Sequence, residues 1–229
     1  MGFEFQITCT ELAAVIGTPL APRIIDVCLA EDHALDPRVI PGAQRMGFRE
    51  AAEINTDAPM VIACQKGFKL SQGVAAALRA RGVDARFLRG GMVGWAEASL
   101  PLLPSGVHPT LGHHAQRWVL SQTLTPSDLF AAWCVQRFVD PRAVWLFVEP
   151  DQVELVADRF ATHACTELTD QICAQLADIA TLRAQSETQP LASLLKGACA
   201  GAHDPAEGLN RAVTVLDAAL VAIRAEEGQ

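Results

Sequence analysis

The segment with the clearest chemical potential is residues 63–71, in which a short apolar run leads directly into Cys64. A glycine-containing loop follows, and the pattern predicts a helix that opens at Ser71. A loop of this kind turns successive backbone N–H groups toward one point in front of a helix N-terminus, which binds anions. The same donors stabilise a thiolate. The segment therefore predicts either an anion cradle or a reactive cysteine.

Cationic residues are concentrated beside this cysteine. The chain has three lysines, and two of them, Lys66 and Lys69, lie within five residues of Cys64. Nearby ammonium groups favour the ionised form of a thiol, so this spacing indicates a nucleophilic thiolate in an electropositive pocket. The alternative is an inert cysteine buried at the end of a strand, with an ordinary loop after it. Residue types alone leave both interpretations open.

The elements around this loop alternate between strand and helix patterns. Apolar runs predict strands at residues 23–28, 60–63 and 85–88. Helical patterning covers residues 9–16, 48–54 and 71–81, with Gly82 placed as a C-terminal stop. Alternation of this kind predicts an α/β fold with a mainly parallel sheet flanked by helices.

Three signatures in the first half resemble those of the rhodanese (sulfurtransferase) family. The first is Ile25-Asp26-Val27 followed by residues 39–43 (VIPGA), and the last is residues 88–95 (LRGGMVGW). Between them, residues 64–67 (CQKG) stand where that family carries its active-site cysteine loop. The resemblance covers residues 1–105, which we therefore predict to form a rhodanese-like domain.

This resemblance implies a mechanism in which Cys64 accepts sulfane sulfur from a donor, forms a persulfide and passes the outer sulfur to an acceptor. The implied partners are a small sulfur-containing oxyanion as donor and a thiol as acceptor, and no cofactor or metal is expected. Asp26 is expected to support the loop from the neighbouring strand. The implied substrate-binding residues are Gln65, Lys66, Gly67, Phe68, Lys69, Leu70 and Ser71.

The sequence departs from the family pattern at two positions. Cys28 stands where the first signature usually has an arginine. It is either a buried apolar replacement or a resolving thiol for Cys64. Leu70 is interposed between Lys69 and Ser71, so the loop is expected to be one residue longer and to suit a tetrahedral oxyanion. Cysteine-based phosphatase chemistry is disfavoured, because its Cys-x5-Arg spacing places the arginine at Leu70.

The second half differs in pattern. Three prolines and a glycine in residues 100–109 predict a domain boundary, with a linker at residues 106–116. A mainly helical domain is predicted at residues 117–229, with a strand at 144–148. Helices are predicted at residues 126–138, 152–159, 169–183 and 208–224. Residues 133–141 (WCVQRFVDP) and 145–153 (WLFVEPDQV) resemble the C-terminal domain of ChrB-type chromate-resistance proteins.

That second resemblance implies a link to chromate resistance, although the polar residues of the ChrB domain are mostly replaced here. We therefore expect a scaffold, dimerisation or sensing role for this half rather than catalysis. Arg137 and Asp140 are predicted to form an internal pair, because an unpaired buried arginine is costly. The histidines at positions 113, 114, 163 and 203 follow no metal-ligand spacing and are expected to be exposed.

Composition sets outer limits on function. Half of the residues are hydrophobic and 19% are charged, which excludes a disordered or low-complexity protein. Residues 107–229 carry 8 basic and 15 acidic groups, a balance of −7, which would repel nucleic acid and anionic membranes. No secretory signal or apolar span of about 18 residues is visible, so we predict a cytoplasmic protein, with a homodimer left open.

Overall fold

The computed structural model describes residues 5–105, 116–160 and 163–227. The chain divides into two compact units, residues 1–112 and 113–229. Residues 106–115 of the predicted linker lie outside the described residues, so the linker stays a prediction. Each unit is built around its own parallel sheet.

The first unit consists of short strands joined by helices. Its strands are β1 (Gln6–Ile7), β2 (Arg23–Asp26), β3 (Arg38–Val39), β4 (Ala43–Arg45), β5 (Met60–Ala63), β6 (Ala85–Leu88) and β7 (Leu103–Pro104). Its helices are α1 (Cys9–Val15), α2 (Ala30–Leu35), α3 (Phe48–Ala51), α4 (Lys69–Ala80) and α5 (Gly91–Glu97). Five strands form one sheet in the order β1-β6-β5-β2-β4, with every pairing parallel, while β3 and β7 form a small antiparallel pair.

The central strands of this sheet are buried on both faces. All four residues of β5 are buried, and Ile24, Ile25 and Asp26 of β2 are buried beside them. Continuous apolar strands of this kind occur where helices cover both sides of a parallel sheet. The prediction of a mainly parallel sheet flanked by helices is confirmed. Because Asp26 pairs with Ala63, the chain leaves β2 and β5 at the same edge of the sheet.

Helix α4 begins earlier than the sequence predicts. It starts at Lys69 instead of Ser71, so Lys69, Leu70 and Ser71 form its first turn. A serine at a helix start often caps it, with its hydroxyl beside the free amides of the first turn. The side chain of Ser71 is instead wholly buried, and its hydroxyl bonds to the Phe68 carbonyl. The loop after Cys64 is therefore four residues long, Gln65 to Phe68.

The second unit is mostly helical, as predicted. Its strands are β8 (Arg117–Ser121), β9 (Val144–Val148) and β10 (His163–Ala164), in the parallel order β10-β8-β9. Its helices are α6 (Pro126–Cys134), α7 (Val153–Phe160), α8 (Thr166–Gln175), α9 (Ala177–Ser186), α10 (Leu191–Ala200) and α11 (Pro205–Glu227). Within the described residues, no helix is long and apolar enough to cross a membrane.

Two predictions for this unit are wrong. The helix predicted at residues 169–183 is two helices, because Leu176 adopts an extended conformation (φ −124°, ψ 101°) that ends α8. The predicted partner of Arg137 is also wrong, since its Nε donates to Asp217 of α11 at 2.8 Å. Asp140 instead accepts from the indole of Trp118 and from the backbone N–H of Arg142.

The structure describes the side chain of one of the four histidines that were predicted to be exposed. His203 is exposed and contacts Glu207 through Nδ1 at 2.8 Å. Positions 113 and 114 and the side chain of His163 lie outside what the structure describes. Across the described residues, no group of three or more His, Cys, Asp or Glu side chains is arranged to hold a metal ion.

Candidate active site

Cys64 lies directly after β5, at the carboxyl edge of the sheet. It is 5% exposed and belongs to an apolar cluster that includes Val27 of the neighbouring chain segment and Val74 of α4. The Val27 N–H donates to the Ala63 carbonyl at 2.9 Å, which extends the β2–β5 pairing up to the cysteine. The sulfur is therefore recessed beneath the loop that follows it.

Two glycines allow this loop to pack against the first turn of α5. Gly91 has φ +60°, and a Cβ there would collide with the Cys64 carbonyl oxygen. Gly67 has φ +69°, and its Cβ would collide with the Leu88 carbonyl oxygen. Both backbones can approach this closely only without side chains. The close approach lets Met92 N–H donate to the Cys64 carbonyl at 3.1 Å, and Val93 N–H donate to the Gln65 carbonyl at 3.0 Å.

The loop presents a run of unused backbone donors. Within the described residues, no backbone or side-chain acceptor takes a hydrogen bond from the amides of residues 65–71. The first donation from this part of the chain is Gln72 N–H to the Phe68 carbonyl, at 3.0 Å. Backbone donors need a partner, which is water or a bound anion when protein supplies none. This geometry suits the predicted anion cradle.

The rim of the cradle is cationic and aromatic. Lys66 and Lys69 are both exposed, and Phe68 between them is 62% exposed. Leu70 points the other way and packs against the apolar cluster around Cys64. Of the implied substrate-binding residues, Leu70 can therefore contribute only its amide, whereas the two lysines can attract an anion to the loop.

Ser71, in the first turn of α4, contacts the sulfur of Cys64. The Cys64 thiol donates to Ser71 Oγ at 3.1 Å, and Ser71 Oγ donates to the Phe68 carbonyl at 3.3 Å. Gln72 holds the other side of the loop, because its Nε2 donates to the Gly67 carbonyl at 3.1 Å. The start of α4 thus fixes both the sulfur and the loop around it.

The Asp26 side chain of β2 bonds to Cys28 and Arg45, and its support of the Cys64 loop stays a prediction. It is 1% exposed, and its Oδ1 accepts from the Cys28 N–H while its Oδ2 accepts from Arg45 Nη1, both at 2.8 Å. Arg45 also donates to the Cys28 carbonyl at 3.3 Å. Arg45 was not predicted from the sequence. It is the ion-pair partner of Asp26 in a chain that has a cysteine at position 28, where the family signature usually has an arginine. The only available signal was a lone arginine six residues after the VIPGA segment begins.

Cys28 has different surroundings from Cys64. Its Sγ lies 3.9 Å from Gln65 Oε1, and it lines a pocket of about 200 Å³ together with Gln65, Met92 and Val93. Burial raises the pKa of the Cys28 thiol far above its usual range, and the negative charge of Asp26 raises it further. Cys28 is therefore protonated at neutral pH. A resolving role for this thiol stays a prediction.

Comparison with known proteins finds a family match within the first unit. Residues 8–98 match the family model described as the rhodanese-like domain. A rhodanese-like domain protein from Staphylococcus aureus is 29% identical, with 39% of this chain and 89% of that chain covered and a TM-score of 0.35. A rhodanese-related protein from Thermoplasma volcanium is 19% identical, covering 43% and 96% with a TM-score of 0.37.

A third solved structure, thiosulfate sulfurtransferase from Pseudomonas aeruginosa, is 25% identical over 43% of this chain and 19% of that chain, with a TM-score of 0.35. No curated protein matches the chain. The family match supports a rhodanese-like domain at residues 8–98. At the level of the family, this domain suggests sulfurtransferase activity. The ChrB-type assignment of the second unit stays a prediction.

Proposed function

We propose that this protein transfers sulfane sulfur through a persulfide on Cys64. The observation that carries the proposal is the run of seven amides, residues 65–71, that have no acceptor among the described residues and that follow a recessed cysteine. Donors fixed around a sulfur stabilise negative charge without reorganising, which lowers the barrier for a step in which charge develops there. Lys66 and Lys69 add long-range attraction for an anionic donor.

The proposed reaction has two displacements. The Cys64 thiolate attacks the outer sulfur of a donor such as thiosulfate, the donor's S–S bond breaks, and sulfite leaves with the electron pair. An acceptor thiolate then attacks the outer sulfur of the Cys64 persulfide. The electron pair of that S–S bond returns to Cys64 Sγ, which restores the thiolate. The loop amides bind the leaving oxyanion in the first displacement and the persulfide charge between the two.

The test is a mass measurement followed by an activity measurement. Incubation with thiosulfate should add about 32 Da, one sulfur atom, to the peptide that contains Cys64. Cys64→Ser should lose the adduct and at least about 1,000-fold in sulfur transfer to a thiol acceptor. Cys199→Ser, which removes a partly exposed thiol in the second unit, should retain both. Transfer by Cys64→Ser at the wild-type rate would refute the proposal.

A second candidate is an oxyanion-binding module without turnover. It is favoured by the 5% exposure of Cys64, whose S–H points to Ser71 while the loop amides remain free. Titration of sulfate and chromate into Cys64→Ala separates the two candidates. If Cys64→Ala keeps its affinity for the oxyanion and the wild-type protein forms no sulfur adduct, the result supports sensing. Loss of oxyanion affinity in Cys64→Ala supports the transferase.

We also propose that the second unit links this activity to chromate tolerance, acting as a scaffold or a dimerisation or sensing domain. The support is the resemblance of residues 117–160 to ChrB-type proteins, and the proposed location is the cytoplasm, where reducing conditions keep Cys64 a free thiol. Cells producing the wild-type chain should survive chromate better than cells producing Cys64→Ser. Equal survival would remove the chromate link and leave the sulfur-transfer proposal unaffected.

A further inference from the structure

A buried hydroxyl faces the sulfur of Cys64. Ser71 is wholly buried in the first turn of α4, and its Oγ lies 3.1 Å from Cys64 Sγ. Among the described side chains, it is the only one with a polar atom within hydrogen-bond distance of that sulfur. The protonated thiol donates a hydrogen bond to Ser71 Oγ, and the Ser71 hydroxyl donates one to the Phe68 carbonyl at 3.3 Å.

This arrangement must change when the sulfur ionises. A thiolate has no proton to donate and can only accept, so the serine hydroxyl has to turn its single proton from the Phe68 carbonyl to Sγ. This rotation leaves the Phe68 carbonyl with a hydrogen-bond donor, because Gln72 N–H still donates to it at 3.0 Å. The 3.3 Å bond that is given up is also the longer of the two that Ser71 makes.

We propose that Ser71 is a positioning residue that reverses its hydrogen bond and donates to Cys64 Sγ whenever that sulfur carries negative charge. One part of this role concerns the free thiolate and holds for any chemistry at Cys64. The other part rests on the proposed sulfur transfer. When an acceptor takes the outer sulfur, Cys64 Sγ is the leaving group and receives the electron pair, and Ser71 stabilises the negative charge that develops on Sγ. The serine proton stays on serine throughout.

The experiment measures how fast iodoacetamide alkylates Cys64 in the full chain between about pH 5 and 10, read on the Cys64 peptide by mass spectrometry. The other six thiols interfere little, because burial raises the pKa of each of them. In Ser71→Ala the midpoint of the profile should rise by about one pH unit, since a donor to the charged form is lost. An unchanged midpoint in folded Ser71→Ala would overturn the proposal.

A matched control comes from the second unit. Ser186 is also wholly buried and also donates to the carbonyl three residues earlier, Arg183, at 2.7 Å. Ser186→Ala should leave the Cys64 midpoint within about 0.3 pH units, since it removes an equivalent helix bond away from the loop. A similar shift in both serine variants would mean that the effect is structural, and it would overturn the assignment to Ser71.

A second pair of variants covers the case in which Ser71→Ala folds poorly. Ser71→Thr and Ser71→Val have side chains of nearly the same shape and differ in the hydroxyl. The Thr variant should keep the wild-type midpoint while the Val variant shows the upward shift. Equal midpoints for the two would contradict the proposal.

Alkylation requires no sulfur donor, so this inference and the proposed function fail separately. If the alkylation midpoint shifts in Ser71→Ala but the wild-type protein forms no persulfide, the hydrogen-bond reversal at Ser71 is supported and sulfur transfer is refuted. Where the persulfide does form, its discharge by a thiol acceptor should be about tenfold slower in Ser71→Val than in Ser71→Thr. Equal discharge rates would refute the leaving-group part of the role.

Discussion

The backbone of single residues determines the shape of the sulfur site. Gly91 and Gly67 both have positive φ, and both lie so close to neighbouring backbone that no side chain fits. The Met92 and Val93 amides can reach the carbonyls of Cys64 and Gln65 only because of this approach. The first turn of α5 is therefore part of the site, and its backbone holds the carbonyls of Cys64 and Gln65 in place.

Replacing Gly91 by alanine tests this dependence. The strained φ and the collision with the Cys64 carbonyl oxygen should lower the free energy of unfolding by about 3 kcal/mol or more. Urea denaturation measures the loss, and the sulfur-transfer rate should fall with it. Gly73 of α4 is the control, because a Cβ there meets nothing within 4 Å. Gly73→Ala should raise stability by about 0.5–1 kcal/mol, and a loss of similar size in both variants would contradict the argument.

Arg45 gives a second test at the scale of single residues. It is the ion-pair partner of Asp26, which is 1% exposed. Arg45→Met should destabilise the protein by about 2–3 kcal/mol, because it leaves a buried carboxylate without a cation. Asp26→Asn combined with Arg45→Met should recover much of that loss in the same thermal or urea measurement. No recovery in the double variant would show that Arg45 acts through packing instead of charge.

At the scale of elements, one carboxylate joins α11 to α6 and to the π-helix that extends it, Val135–Val139. Asp217 accepts from the Trp133 indole at 2.9 Å and from Arg137 Nε at 2.8 Å, and its side chain is 11% exposed. Asp217→Asn should cost about 2–3 kcal/mol in urea unfolding, since Arg137 then loses its counter-charge in a partly buried position. Asp170→Asn breaks a pair that is 71% exposed on the acidic side and should cost less than about 0.5 kcal/mol. Equal losses of unfolding free energy in the two variants would show that the Asp217 ion pair is not a major source of stability.

Elements with a strong local pattern were predictable from the sequence. The strands at residues 60–63, 85–88 and 144–148 have the predicted bounds, because each is a short apolar run with turn residues at its end. Cys64 and the seven residues after it were also predicted as one local constellation. The amides of these seven residues form one run without acceptors among the described residues, the Leu70 side chain packs into the apolar cluster, and their role in binding substrate stays a prediction.

Features that depend on distant partners could not be read in this way. Arg45 is 19 residues from Asp26 and Asp217 is 80 residues from Arg137, so no local pattern connects either pair. The break at Leu176 was missed because its sequence neighbourhood remains helix-forming on both sides. The start of α4 lies two residues before the predicted Ser71, whose hydroxyl is turned inward and accepts from the Cys64 thiol.

At the scale of the whole molecule, charge separates the two units. Residues 1–106 carry 10 basic and 11 acidic groups, and the acidic excess lies almost entirely in residues 107–229. The lysines beside Cys64 therefore belong to a unit that is nearly neutral, so the charges of that unit itself oppose an anionic donor little. Binding of an anion at the loop should weaken as salt is raised, with a small slope that reflects only these two cations.

The two-unit organisation leads to a prediction about the segment between the units. Segments that connect compact units are favoured sites for proteolysis, because few contacts protect their backbone. Brief digestion with a protease of broad specificity should therefore cut first within residues 106–116, the predicted linker. Two fragments that match residues 1–105 and 117–229 by mass would support it. Each fragment should then resist further digestion, because each encloses its own sheet and core. A first cut inside either unit, or rapid loss of one fragment as soon as the chain is severed, would show that the units depend on each other for stability.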